Sequence, residues 1–291
     1  MRHLGLKVRM AVVGAILAAF YLVAVAAAMV TFGQGVLPVA IVGSVLLVGV
    51  QYKVGKWIAL RSVGAEDLSE QRYPQVHRMV EEHSREMGIE KPDLKIARMG
   101  VPNAFAVGRK GAGVVVVSEE LLGLLDRDEL EGVLAHELAH IANRDVVTMQ
   151  LGQGIASIVA IVAQYAVLLT GDSDLADFFL AIVVGNIVQF FVMLFVLAIS
   201  RYREYVADAD AKRAIGSGDP LARALEKIHE GNQRTRESAR SSRRGRGRGR
   251  GDGGVDQQVS ALCISSPDRG LLQRIVSTHP PMEKRIQRLR S

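Results

Sequence analysis

Cysteine is nearly absent from this chain, since Cys263 is the only one among 291 residues. A single thiol excludes an intramolecular disulfide framework. It also excludes a zinc site built from several thiolates. Any metal site must therefore rely mainly on His, Asp and Glu side chains.

Charged side chains are also absent from long apolar stretches. Residues 10–32 and 36–52 contain no Asp, Glu, Lys or Arg, and about 20 apolar residues are enough to cross the hydrocarbon layer. Only a few residues, including Gly33 and Gly35, join the two runs, so they are predicted to form a membrane hairpin. A cleaved signal peptide is the alternative for the first run, because the letters AVA near Ala24 resemble a cleavage site.

Two further runs, residues 151–169 and 178–199, also lack charged side chains. They predict a second hydrophobic hairpin. They do carry four amides: Gln153, Gln164, Asn186 and Gln189. A buried helical hairpin of a cytosolic domain therefore remains an alternative. Because none of the runs contains an ionisable residue, a metal transporter is disfavoured.

Basic residues flank the hydrophobic runs on one side only. Those flanking the first hairpin are Arg2, Lys7, Arg9, Lys53, Lys56 and Arg61. The acidic linker at 170–177 has no Lys or Arg, whereas Arg201 and Arg203 follow the last run. Because basic residues stay on the cytoplasmic side, the N-terminus and the region after residue 52 are predicted to face the cytoplasm.

The parts outside the apolar runs have mixed character. Residues 67–88 have helical spacing, and the stretches PDLKIARM and GVVVVSEE are typical of strands. The stretch VPNAFAVGRKGAG between them predicts an extended segment followed by a hairpin turn. Residues 238–257 are rich in Arg, Gly and Ser and predict a disordered loop. A last helix is expected from Pro281.

Two histidines lie four residues apart in the stretch LAHELAHIANRD. On a helix His136 and His140 project from one face, close enough to bind one ion. Asp126 and Glu129 form a capping box that starts such a helix. Glu137 is offset from His136 by about 100°, so it is placed to reach a water molecule beside the ion rather than to bind the ion. This is the H-E-x-x-H arrangement of zinc hydrolases, with two ligands and one general base.

A catalytic zinc ion needs a third protein ligand. Glu204 and Asp208 also lie four residues apart and would share a helix face. One can bind zinc while the other orients an imidazole. Spacing alone leaves a second interpretation equally open, in which they form a solvated charged face balanced by Arg201 and Arg203.

The motifs and their order resemble those of the HtpX-type membrane zinc metalloproteases, which are relatives of the CaaX prenyl proteases. The motifs are PNAFAVG, LAHELAHIANRD, SRYREYVAD and HPPMEKRI. The resemblance covers nearly the whole chain and includes the two hydrophobic hairpins. The Arg/Gly-rich segment is not part of the family's pattern.

The resemblance implies a zinc endopeptidase of the gluzincin type with one Zn²⁺ per chain. It implies that Glu204 is the third ligand and that Asp208 contacts a ligand without binding the ion itself. It also places His279 near the site, where His279 is the candidate donor to the oxyanion. Asn103, before a predicted edge strand, is a candidate substrate-binding residue, and a turn residue after Pro102 is the alternative.

The predicted fold is mainly α-helical with a small β-sheet: a multi-pass membrane protein with a cytoplasmic, zincin-like metalloprotease domain. The predicted segments are the first hairpin at 1–56, the protease region with its strands and zinc helix at 57–150, the second hairpin at 151–199, the helix with the third ligand at 200–237, the disordered loop at 238–257 and the C-terminal segment at 258–291. Polar residues around the zinc motif, including Glu129 and Asp145, indicate aqueous surroundings, about 10–20 Å from the membrane surface.

The predicted partners are the lipid bilayer and polypeptides, above all membrane or misfolded proteins in protein quality control. An alternative is a membrane-anchored RNA-binding protein that acts through the Arg/Gly-rich loop. Nucleic-acid binding is disfavoured, because no aromatic residue interrupts the stretch RRGRGRGRG on which bases would stack.

Overall fold

The structure is a computed structural model that describes residues 4–33, 35–170, 175–245 and 279–291. Within them the chain is mostly helical with a small mixed sheet, as predicted. The elements are α1 (Leu4–Phe32), α2 (Val36–Ser62), β1 (Glu66–Asp67), α3 (Pro74–Met87), β2 (Asp93–Ala97), β3 (Ala104–Val107), β4 (Val114–Ser118), α4 (Glu119–Leu124), α5 (Arg127–Ala142), α6 (Asp145–Thr170), α7 (Leu175–Ala214), α8 (Asp219–Gly245) and α9 (Met282–Arg290).

The chain divides into two compact units. The first comprises Met1–Gly55 and Val147–Tyr202, and the second comprises Lys56–Val146 and Arg203–Ser291. Helices α2, α6 and α7 contribute residues to both units.

Four helices of the described residues are long and apolar enough to cross a membrane: Ala11–Val30, Ile41–Ser62, Asp145–Leu169 and Leu175–Ala214. Many of their large apolar side chains are exposed, and Val30, Phe179 and Phe191 are 88%, 59% and 57% exposed. A water-soluble domain would cover such side chains, whereas lipid accepts them. Their exposure favours membrane helices over a buried hairpin.

Two of the amides in the second pair of apolar helices have protein partners. Asn186 Nδ2 donates to the carbonyl oxygen of Ile182, 2.7 Å away in the same helix. Gln164 packs on the backbone of Gly185, where a Cβ would lie 2.3 Å from Gln164 Cγ. Small residues that admit a polar side chain between helices are common in membrane bundles. These two amides are therefore compatible with membrane helices.

The sheet has the strand order β1-β2-β4-β3. Strand β4 pairs in parallel with β2 and antiparallel with β3, so β3 is an edge strand of the described sheet. The predicted hairpin turn joins β3 to β4 at Gly108, whose φ is +102°. A Cβ at Gly108 would lie 2.2 Å from the carbonyl oxygen of Ala112, so only glycine fits this turn.

Helix α3 is shorter than the helical spacing of 67–88 indicates. It begins at Pro74, while Asp67 belongs to the short strand β1. Proline favours the first turn of a helix and disfavours helical backbone in the residue before it, here Tyr73. The helix therefore starts at the proline and buries Val76, Met79 and Val80 in the core.

Helix α5 is fixed at its start and along its length. The capping box of Asp126 and Glu129 is present. Gly132 lies so close to α8 that a Cβ there would be 2.9 Å from the backbone nitrogen of Leu221. Almost every residue from Glu129 to Ile141 is buried, including His136 and Glu137. This burial makes α5 the central helix of the second unit.

Helix α8 continues to Gly245, eight residues into the segment predicted to be disordered. Its first half packs in the core through Leu221, Leu225 and Ile228. Arg and Ser tolerate helical backbone, so the helix continues from this packed half until the glycine-rich run begins. The rest of the predicted loop, residues 246–257, and residues 258–278 lie outside the described residues.

Candidate metal centre

Three side chains from two helices meet inside the second unit. His136 and His140 lie on α5, and Glu204 lies on α7. Their ligand atoms all lie within 4.8 Å of one another. The two Nε2 atoms are 3.1 Å apart, and Glu204 Oε2 and Oε1 lie 3.7 Å from His136 Nε2 and 3.5 Å from His140 Nε2. Tetrahedral zinc with ligands at about 2.0 Å places those ligands about 3.3 Å apart, so the donor set fits this ion.

Each imidazole has a carboxylate on its other nitrogen. His136 Nδ1 lies 3.1 Å from Asp208 Oδ1, and His140 Nδ1 is hydrogen-bonded to Asp145 Oδ2 at 2.5 Å. Such partners fix the ring orientation and leave Nε2 for a metal. Both rings therefore present the same nitrogen to the centre of the cluster.

Each outer carboxylate is in turn held by a buried arginine. Arg285 on α9 donates to both oxygens of Asp208, from Nε at 2.9 Å and from Nη2 at 2.7 Å. Arg203 Nε lies 2.8 Å from Asp145 Oδ1. Arg285 is fully buried and Arg203 is 7% exposed.

Glu137 differs from the other acids at the site. It is 3% exposed, and no hydrogen bond or ion pair holds its carboxylate among the residues that the structure describes. Asp145, Glu204 and Asp208 all face basic groups. A carboxylate without a fixed partner is available to accept a proton.

The charge of the cluster also favours a divalent cation. The site contains four buried carboxylates, those of Glu137, Asp145, Glu204 and Asp208, and two buried guanidinium groups, those of Arg203 and Arg285. Two negative charges remain, and burying charges that are not neutralised is costly in free energy. Burial lowers the pKa of His140. The hydrogen bond to Asp145 and the negative charges of Glu204, Asp145 and Glu137 outweigh burial and raise this pKa to about 9. A bound divalent cation supplies the missing positive charge instead.

His279 lies against the third ligand, with Nδ1 3.1 Å from Glu204 Oε2. Asn103 precedes β3 and is 1% exposed. Its backbone N–H donates to Ser118 Oγ at 3.0 Å, and its side-chain nitrogen is 3.8 Å from Met99 Sδ. The roles assigned to these two residues stay predictions.

Comparisons with known proteins agree with this geometry. Residues 70–291 match the model of the family described as peptidase family M48. The chain belongs to peptidase family M48. An M48 relative called "Protease HtpX homolog" from Halobacterium salinarum is 73% identical over 292 residues, 97% of this chain and the whole of the relative. One of the same name from Pyrococcus abyssi is 38% identical over 269 residues, 89% of this chain and 87% of the relative.

A solved structure shares the fold of this M48 chain. The crystal structure of S. mikatae Ste24p aligns with a TM-score of 0.54 and 19% sequence identity, covering 97% of this chain. The chain spans 63% of the length of Ste24p. The family resemblance expected from the motifs is thus confirmed, and the apolar helices suit a membrane protein.

Three residues of this M48 site were not predicted as part of it: Asp145, Arg203 and Arg285. Asp145 and Glu129 are polar residues expected in aqueous surroundings, but the structure buries both inside the second unit. They are 2% and 0% exposed, because Arg203 and Lys227 neutralise them. The sequence signal for Asp145 and Arg285 was their position inside the motifs, because Asp145 ends LAHELAHIANRD and Arg285 lies in HPPMEKRI.

Proposed function

We propose that the chain is a zinc-dependent endopeptidase of the membrane that cleaves membrane or misfolded proteins at the cytoplasmic face, in protein quality control. The observation that carries this proposal is the convergence of Glu204 with His136 and His140 at the helix that also carries Glu137, whose carboxylate has no hydrogen bond or ion pair within the described residues. Two imidazoles and one carboxylate are the ligand set of many hydrolytic zinc sites, which keep one position open.

His136, His140 and Glu204 would hold the ion. Zinc, when bound, polarises a water molecule and the carbonyl group of a peptide bond. The protein's own contribution to the first step is Glu137. It follows His136 on α5 and accepts the proton of the attacking water, then returns it to the leaving amine. Burial at 3% exposure keeps bulk water from competing for this carboxylate.

His279 is the proposed donor to the oxygen of the tetrahedral intermediate. Its Nδ1 lies 3.1 Å from Glu204 Oε2, and Nε2 is the nitrogen proposed to donate to the substrate. A donor aimed at developing negative charge is among the largest catalytic contributions.

The outer edge of β3, which pairs with no further strand among the described residues, is the proposed site for the substrate backbone. Ser118 N–H donates to the carbonyl oxygen of Asn103, so the backbone groups of Asn103 face β4. Alternation along an antiparallel strand then directs Phe105 and Val107 toward β4, and Ala104 and Ala106 toward the outer edge of the described sheet. Ala104 is 0% exposed and Ala106 is partly exposed, so an extended substrate would add as a further strand through Ala106. Asn103 itself is proposed to contact a substrate amide through its side chain.

Replacing Ala106 with proline tests this edge. The substitution removes an N–H that does not serve the β3–β4 pairing, and proline is tolerated at such edge positions. Loss of a hydrogen bond and the bulk of the ring should lower kcat/KM for peptides by about 10-fold or more, while zinc content stays unchanged. Ala106→Ser, which keeps the N–H, is the control. Wild-type kcat/KM in a folded Ala106→Pro protein would exclude substrate pairing at this edge.

The cytoplasmic orientation rests on charge. Lys53, Lys56 and Arg61 follow the apolar run of α2, and Arg201 and Arg203 follow that of α7. The apolar runs of both helices therefore end in basic residues, as positive-inside topology requires. Cysteine-accessibility labelling at residue 34 and at residue 291 from each side of the membrane measures this. Labelling of residue 291 from outside would refute the orientation.

Metal removal tests the function itself. We expect purified full-length protein in detergent to contain about one zinc per chain and to cleave fluorescent casein or an unfolded membrane reporter. Dialysis against a chelator should abolish cleavage, and stoichiometric zinc should restore it, because the proposed reaction relies on the metal to polarise the attacking water. Cleavage that survives complete metal removal would overturn the proposal.

A further inference from the structure

Arg285 occupies an unusual position for a charged side chain. It is 0% exposed, and its guanidinium faces two carboxylates at once. The Nε and Nη2 groups donate to the two oxygens of Asp208, while Nη1 lies 3.2 Å from Glu204 Oε2. Nη2 also lies 3.4 Å from His136 Nε2, the nitrogen directed at the centre of the cluster.

Stability alone is a weak explanation for this arrangement. Removing a guanidinium from water is costly, and buried ion pairs are often no more stabilising than apolar residues of similar size. Burial opposes its charge, but the carboxylates of Asp208 and Glu204 outweigh burial and raise the pKa of Arg285 above its usual value. The side chain therefore stays cationic, and its planar fork sets the direction of the carboxylates that it binds.

The two carboxylates serve different parts of the cluster. Asp208 orients the ring of His136, and Glu204 supplies a donor atom itself. One guanidinium thus sets the positions of two of the three donors. Helix α9 is fixed to its neighbours by other contacts too, because Lys212 Nζ donates to the carbonyl oxygen of Leu289 and Arg290 pairs with Glu226.

We propose that Arg285 is a positioning residue that holds Glu204 and Asp208 in the geometry a metal ion requires, so that the C-terminal helix α9 is an integral part of the metal centre. This inference rests on the proposed zinc site. It concerns metal affinity and ligand geometry, which are measurable without any proteolysis.

The test compares Arg285→Lys and Arg285→Met with the wild-type protein and with Arg288→Gln. Arg288 lies one turn after Arg285 on the same helix and packs over the ring of Tyr205 on α7, at 4.4 Å. The control therefore weakens a contact between α9 and α7 without touching the metal carboxylates. Zinc affinity is measured by competition with a chromophoric chelator, and ligand geometry by the visible absorption of the cobalt-substituted protein.

We expect both Arg285 variants to bind zinc 10–100-fold more weakly, the usual effect of losing an outer partner of a metal ligand, and to change the cobalt spectrum. Arg288→Gln should match the wild type in both measurements. Lysine keeps the positive charge but lacks the planar guanidinium that binds both oxygens of Asp208. Wild-type zinc affinity in Arg285→Lys would therefore overturn the positioning role. Wild-type affinity in both variants would overturn it equally.

If Arg285→Met does not fold, Arg285→Lys and the rise in its Tm on adding zinc decide the question. A smaller rise than in the wild type supports the inference, and an equal rise overturns it. Zinc binding by all proteins with equal affinity would refute this inference and leave the proposed peptidase intact. Absence of zinc binding by the wild type would refute both.

Discussion

Replacing Glu137 with glutamine is expected to lower kcat by about 10²–10⁴-fold, the range that general acid–base catalysis supplies. Glutamine has the shape of glutamate but does not accept a proton from water. The metal ligands remain His136, His140 and Glu204, so the zinc content should stay at the wild-type value. Turnover of a fluorogenic peptide and metal analysis of the same preparation measure the two quantities.

The reason for expecting so selective an effect is that no hydrogen bond or ion pair of Glu137 is found in the described part of the chain. Glutamine therefore breaks no hydrogen bond or ion pair within that part. The Tm of the apo protein should therefore change little. A large fall in Tm would instead indicate a structural role.

Glu131→Gln is the matched control on the same helix. Glu131 Oε1 lies 2.9 Å from His83 Nε2, a hydrogen bond that joins α5 to α3 away from the metal cluster. Its replacement removes one negative charge from α5 and should leave kcat within about twofold of the wild type, because partly exposed pairs contribute little. Retained turnover in Glu137→Gln, or equal losses in both variants, would contradict the role of Glu137 as base.

The residues within α5 could be predicted from the sequence because helical geometry alone relates them. Four residues are slightly more than one turn, so His136 and His140 share a face wherever the helix lies. The capping box at Asp126 fixed where that helix begins. Glu204 was different, because 64 positions separate it from His140 in the sequence. Only the family's motif distinguished it from a solvated charge.

Asp145 and Arg285, which surround the metal ligands without binding the ion, could not be predicted from sequence spacing. Asp145 reaches His140 Nδ1 because the chain leaves α5 at Asn143 and turns through Arg144, whose φ is +56°. In an uninterrupted helix, residues five apart do not share a face. Arg285 meets Asp208 through the packing of α9 against α8 and its contacts with α7. These contacts belong to tertiary structure, which leaves no periodic signal in the sequence.

The second large effect is expected at His279, where two amides separate its two possible roles. Asparagine places an N–H near the position of Nδ1, which faces Glu204, but has nothing at the position of Nε2. Glutamine reaches about as far as Nε2 and loses the group near Nδ1. If His279 donates to the oxyanion through Nε2, His279→Asn should lower kcat by about 10²–10³-fold, as removal of an oxyanion donor does, with zinc retained. His279→Gln should then keep more activity than His279→Asn.

The opposite order follows if His279 only holds the third ligand. Its Nδ1 lies 3.1 Å from Glu204 Oε2, and Arg285 Nη1 lies 3.2 Å from the same oxygen. Loss of one of these two partners of Glu204 would then weaken zinc binding, and His279→Gln would be the more damaged variant in zinc content and in kcat. Because Arg285 still fixes Glu204 in both variants, we expect zinc affinity to change little and the loss to appear in kcat. Loss of zinc from His279→Gln, with full activity in His279→Asn, would assign His279 to the ligand and leave the oxyanion without its proposed donor.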